Sequence, residues 1–167
     1  STLTTKDADV TILAMERGAI DFVTKPNNII EAKGEDFKRQ LLSVLTAVYE
    51  TQQWNSVHTI SSLTKKKISA SNNRIKAVNP GKKLVALACS TGGPKALQSV
   101  VPYLPKKLDA PVVIVQHMPA GFTQSMAKRL DEISEIPVKE AQEGDRLENG
   151  HVYIAPGGRH LEVRRMG

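Results

Sequence analysis

Apolar positions along the chain change their spacing several times. Leu84-Val85-Ala86-Leu87-Ala88 is an unbroken apolar run, and Pro111-Val112-Val113-Ile114-Val115 is a β-branched one with the pattern of a strand buried on both faces. Between them Ala96, Leu97, Val100, Val101 and Leu104 recur at helical spacing, which predicts a helix over 94–104. Pro94 suits its first turn, and Pro102 is expected to end or bend it early. A second helix is predicted over 121–133, burying Phe122, Met126, Ala127, Leu130 and Ile133. Val138 to Ala141 reads as a short strand, and Glu143-Gly144-Asp145 as a turn. The run 151–155 and the alternating His160-Leu161-Glu162-Val163 flank Pro156-Gly157-Gly158, which predicts a hairpin.

Before Leu84 the order of elements differs. A short helix is predicted over 8–17 with Val10, Leu13 and Ala14 on one face, stopped by Gly18. Residues 19–26 read as a strand closed by Pro26, and 35–53 place Phe37, Leu41, Leu42, Leu45, Val48 and Tyr49 at the spacing of an amphipathic helix. Helix, strand and helix without a sheet cannot bury their own strand, so 1–53 is expected to be the end of a larger α/β domain. From 54 to 81 the chain turns polar and loses its period: Ser61, Ser62, Lys65-Lys66-Lys67, Ser69, Ser71, Arg74, Lys76 and Asn79-Pro80-Gly81. That composition predicts a linker, which as a flexible coil would span on the order of 30 Å. A second α/β domain is expected from 82 to 167.

Composition narrows the partners. A chain of 167 residues, 40% hydrophobic, can bury one good core or two small ones. Its net charge of +6 would suit an acidic partner, but much of the excess lies in the linker, and 4% aromatic residues leave few rings for stacking on bases. A solvated tether accounts for the charge, and no nucleic-acid partner is expected. The one cysteine, Cys89, cannot close an internal disulfide, which fits a reducing, cytoplasmic setting and a packing role. No apolar run approaches the roughly 20 residues of a membrane helix, and no signal peptide opens the sequence, so no membrane insertion is expected. His151 and His160 lack acidic or cysteine companions at ligand spacing, and no metal site is proposed on them.

The chemistry concentrates where the first apolar run ends. Ala88-Cys89-Ser90-Thr91-Gly92-Gly93-Pro94 has the form of a nucleophile elbow, with Ala88 where the motif usually carries its first glycine. Taken alone, Ser90 reads equally as a helix N-cap, and the turn also admits a phosphate- or nucleotide-binding reading. His117 leaves the next strand as Ser90 leaves its own. If the strands are parallel neighbours, both emerge at one edge of the sheet, and a general base beside a serine is what a weak hydroxyl nucleophile needs. The N–H of Thr91, at the helix start, is the candidate oxyanion donor, and the Thr91 hydroxyl is expected to help position the site. A DNA-binding output is disfavoured, because strand and helix alternate and no recognition-helix pattern appears.

These motifs, followed by Gly121-Phe122-Thr123, Val138-Lys139-Glu140-Ala141 and Tyr153-Ile154-Ala155-Pro156-Gly157, resemble the catalytic domain of the CheB-type chemotaxis protein-glutamate methylesterases over about 84–163. The resemblance implies Ser90 and His117 as the catalytic pair. It also implies chemoreceptors as protein substrates, hydrolysis of glutamate methyl esters, and possible deamidation of glutamines. The family's third catalytic residue, a downstream aspartate, has no counterpart here, so these residues alone are expected to show no useful esterase activity. Gly18 to Pro26 resembles the end of a two-component receiver domain. By that likeness Lys25 pairs with a phosphorylated aspartate, Ser1 or its neighbour is the switch hydroxyl and Phe22 the switch aromatic. A histidine kinase is then the phosphodonor, and the receiver uses Mg whose ligands precede Ser1. The expected whole is α/β: the C-terminal part of a receiver domain, a linker, then the first part of a doubly wound, mostly parallel methylesterase domain.

Overall fold

The computed structural model describes residues 5–57 and 83–164. In chain order the elements are α1 (Thr5–Glu16), α2 (Ile29–Lys33), α3 (Glu35–Val57), β1 (Val85–Cys89), α4 (Gly93–Val100) with a 3-10 turn at Val101–Tyr103, β2 (Val112–Gln116), α5 (Phe122–Ile133), β3 (Val138–Glu140) and β4 (Val152–Ile154). The four strands form one parallel sheet in the order β1-β2-β4-β3. The parallel α/β sheet expected after Leu84 is therefore present, and every strand delivers its carboxyl end to the same edge.

One face of this sheet carries the main core. Val112, Ile114, Val152, Ile154 and Val138 pack with Leu97 and Val101 from the α4 region and with Phe122, Met126 and Leu130 of α5. Removing such side chains from water stabilises the fold by about 1.5–3 kcal/mol each. Ala8, Ile12 and Met15 of α1 join the same cluster, so α1 lies against α5. The other face holds a smaller group, Val113, Tyr153 and Ala141, edged by Leu147 and Leu161.

Several expectations are corrected. α1 turns Ala8, Ile12 and Met15 inward and leaves Val10 and Leu13 exposed, because packing on α5 selects the face. Residues 19–26 form no strand: a strand needs a partner edge, and the described residues give this segment none. α2, opened by the Asn28 side chain accepting from the Glu31 N–H at 2.8 Å, carried no apolar period and escaped the reading. α3 continues past Gln53 to Val57, so the first positions of the expected linker are helical; the rest of that stretch, 58–81, lies outside the described residues. The helix after Pro94 stops at Val100 and tightens into the 3-10 turn at Pro102, burying Leu97 and Val101 but not Ala96 or Val100. Ile133 is exposed at the last position of α5, and Val115 is exposed although its run predicted burial on both faces. The hairpin at Pro156-Gly157-Gly158 does not form. β4 lies between β2 and β3, so both of its hydrogen-bonding edges are taken and 160–164 have no strand to join.

Candidate active site

β1 and β2 pair in register from Val85 opposite Val112 to Cys89 opposite Gln116. The ladder runs one step further, since the His117 N–H donates to the Cys89 carbonyl at 3.0 Å. Ser90 and His117 therefore leave adjacent parallel strands side by side, at the carboxyl edge where open α/β sheets bind their ligands. Both are exposed.

The turn after Ser90 is built by two glycines with different tasks. Gly92 has φ +75°, a conformation that L side chains rarely adopt, and it reverses the chain into α4. It also occupies the N-cap position, with no side-chain capping bond. The Ser90 hydroxyl is thus not the cap of α4, which removes one of the readings open to it. At Gly93 a Cβ would fall 2.0 Å from Gln116 Oε1 and 2.7 Å from Cys89 Cβ, so the position requires the absence of a side chain. Thr91 is exposed in the same turn, between Ser90 and the start of α4.

Gln116 stands beside His117 in the sequence motif with no role assigned to it there. It closes β2 on the face that carries Val112 and Ile114, and it is only 5% exposed. Its Nε2 donates to the main-chain carbonyl of Ser90 at 3.0 Å and to that of His117 at 3.2 Å. The signal was available: a polar residue at period two after two buried apolar ones needs hydrogen-bond partners. A second tie lies behind the His117 loop. Buried Thr123 donates to Glu140 Oε1 at 2.6 Å and accepts from the Gly157 N–H at 2.9 Å. Gly157 in turn sits so close to the Met118 and Pro119 carbonyls that a Cβ would lie 2.5 Å from each. The loop leaving His117 is held from α5, β3 and the segment after β4.

The remaining candidates stand apart. Phe22 stacks on Phe122, the first residue of α5, with ring centroids 4.6 Å apart and planes 21° from parallel. Lys25 is exposed, and Ser1 lies outside the described residues. Cys89 is half-buried and packs against the main core. Among the described residues no three His, Cys, Asp or Glu side chains are grouped to hold a metal ion.

The comparison with known proteins agrees with the motifs at the strand ends. Residues 85–167 match the family described as CheB methylesterase. This part of the chain belongs to the CheB methylesterase family. A protein-glutamate methylesterase/protein-glutamine glutaminase of Bacillus licheniformis is 45% identical over 167 residues, covering 98% of this chain and 46% of the relative. One of the same name from Pyrococcus horikoshii is 42% identical over 164 residues, covering 98% of this chain and 44% of the relative. The crystal structure of the Thermotoga maritima CheB methylesterase catalytic domain is similar at a TM-score of 0.50 and 52% identity, over 51% of this chain and 45% of that one. The chain spans under half the length of these CheB relatives. The methylesterase resemblance drawn from the sequence is borne out.

Proposed function

We propose that Ser90 and His117 are the nucleophile and general base of a protein-glutamate methylesterase. The observation that carries this is their delivery to one edge of the sheet by two adjacent parallel strands. His117 takes the Ser90 Oγ proton as Oγ bonds to the ester carbonyl carbon of a methylated glutamate. The tetrahedral intermediate collapses, the C–OCH3 bond breaks, and His117 returns the proton so that methanol leaves. Water, activated by the same imidazole, then hydrolyses the acyl-enzyme and restores Ser90. A glutamine amide would be attacked in the same way, with ammonia leaving, which the relatives' second name supports. The Thr91 N–H, where β1 gives way to α4, is assigned to the oxyanion, a contribution typically worth about 3 kcal/mol.

The substrates in this reading are chemoreceptor proteins in the cytoplasm. No described helix is long and apolar enough to cross a membrane. Residues 1–53 are read as the end of a receiver domain phosphorylated by a histidine kinase, with Ser1, Phe22 and Lys25 as its switch residues. Support comes from packing: α1 lies on α5, and Phe22 stacks on Phe122 just beyond the His117 loop. Phosphorylation that moves this segment would be felt where His117 is held. The Mg implied for a receiver has no fitting ligand set among the described residues. A phosphate pocket at the same turn is the weaker reading, because the Gly93 N–H is already committed to the Ser90 carbonyl at 2.8 Å.

The test uses a full-length polypeptide carrying these residues, since the resemblance assigns the carboxylate that orients His117 to a segment downstream. Methanol release from a methylated receptor is expected to be lost in Ser90→Ala with the fold retained. Unchanged release by that variant would exclude Ser90 as nucleophile.

A further inference from the structure

We propose that Gln116 is a positioning residue that fixes the separation of Ser90 and His117 by holding both of their main chains with one side-chain amide. The inference rests on the assignment of Ser90 and His117 above. Both protons of Nε2 are used, one on each carbonyl, at 3.0 and 3.2 Å. The strand exits are thus joined by a link that continues the β1–β2 ladder beyond its last backbone bond, at the point where parallel strands would otherwise diverge into separate loops.

Backbone satisfaction alone does not account for this glutamine. The Ser90 carbonyl already accepts from the Gly93 N–H at 2.8 Å, so it has a partner without Gln116. Gln116 Oε1 is buried with no hydrogen-bond partner among the described residues, a cost that an apolar side chain would avoid. Val112 and Ile114 show that this face of β2 accepts apolar side chains. The amide also constrains the neighbouring motif, because Oε1 fills the place where a side chain at Gly93 would begin. The second glycine of Ser-Thr-Gly-Gly and the glutamine before His117 are two halves of one fitting, contributed by adjacent strands. Its function is geometric: hydroxyl-to-imidazole proton transfer depends steeply on the placement of the two groups, and a displacement near 1 Å can cost about a hundredfold in rate.

The experiment again uses a full-length polypeptide carrying these residues. Gln116→Met keeps the length of the side chain and removes both donors; Gly93→Ala keeps Gln116 and displaces its amide from the opposite side. For each, kcat and KM for methanol release and the rate of Ser90 modification by a fluorophosphonate are measured beside thermal unfolding. The expected result is a fall of about tenfold to a hundredfold in kcat and in modification rate with KM unchanged. A lowered melting temperature with kcat and modification rate unchanged would mean a merely structural role and overturn the proposal. In the wild type, which needs no variant to fold, the Gln116 side-chain amide protons are expected to exchange with solvent as slowly as the β1–β2 backbone amides; fast exchange overturns the proposal. Wild-type Ser90 that resists the fluorophosphonate overturns the esterase reading and the Gln116 role together. Labelled wild type with an unchanged Gln116→Met rate overturns the Gln116 role alone.

Discussion

The two faces of the sheet are held by different physics. The face toward α1, α4 and α5 is closed by apolar packing: Ile114, Ile154, Val112, Val152, Met126 and Leu130 are at most 1% exposed. The opposite face is thinner. Ala86 and Ala88 of β1 are exposed there, and Val115 is 49% exposed. What covers its centre is the 142–148 loop, held largely by polar bonds. The Tyr153 hydroxyl donates to the Arg146 carbonyl at 2.8 Å and accepts from the Glu148 N–H at 3.1 Å. Asp145 accepts from Lys139 Nζ and from the Gln142 N–H, each at 2.8 Å. Gln116 points to the apolar face. The strand ends are therefore fixed from the side of the sheet that water reaches least.

This contrast can be broken from either side. The larger effect is expected at the apolar face. Leu130→Ala removes a side chain that is 0% exposed, and should lower the unfolding free energy by about 2–5 kcal/mol in chemical denaturation. A loss below that range would mean that α5 contributes little to the core. The smaller effect belongs to the loop face and depends on pH. The hydrogen bonds from Lys139 and then the Gln142 N–H hold the Asp145 carboxyl below the usual carboxylate range. A folded-state value below the unfolded one gives stabilisation that is present above the ordinary carboxylate range and lost as pH falls through the depressed value. Asp145→Asn should therefore weaken the acid-side decline in stability, by an amount smaller than the Leu130 effect. A decline identical to wild type would place the proton-sensitive group elsewhere.

The sequence made the sheet legible where short apolar runs were followed by turn chemistry, and it brought Ser90 and His117 to matched strand ends because both motifs carry their position with them. It failed where a neighbour decides. The face of α1 could not be read from its own spacing, since Val10, Leu13 and Ala14 are as regular as Ala8, Ile12 and Met15, and α5 chose between them. The hairpin after β4 failed for a topological reason: turn residues at Pro156-Gly157-Gly158 say nothing of whether an edge is vacant, and β3 had taken it. Gly157 serves close packing on Met118 and Pro119 instead. In α3 the predicted period is present, yet Leu41, Leu42, Leu45 and Tyr49 are exposed, because amphipathic spacing prepares a face without supplying what covers it. Gln116 was legible only in part. The alternation after Val112 and Ile114 marks it as a buried polar residue in need of partners, but those partners are main-chain carbonyls, which the order of side chains does not name.

The pairing of a hydroxyl with an imidazole across adjacent strands is tested most directly by covalent labelling of Ser90 in a full-length polypeptide with a serine-directed probe, in wild type and in His117→Gln. The account predicts modification confined to Ser90 in the wild type and slowed about 10²- to 10⁴-fold in the variant. Modification of Ser90 at the same rate in both proteins would contradict it.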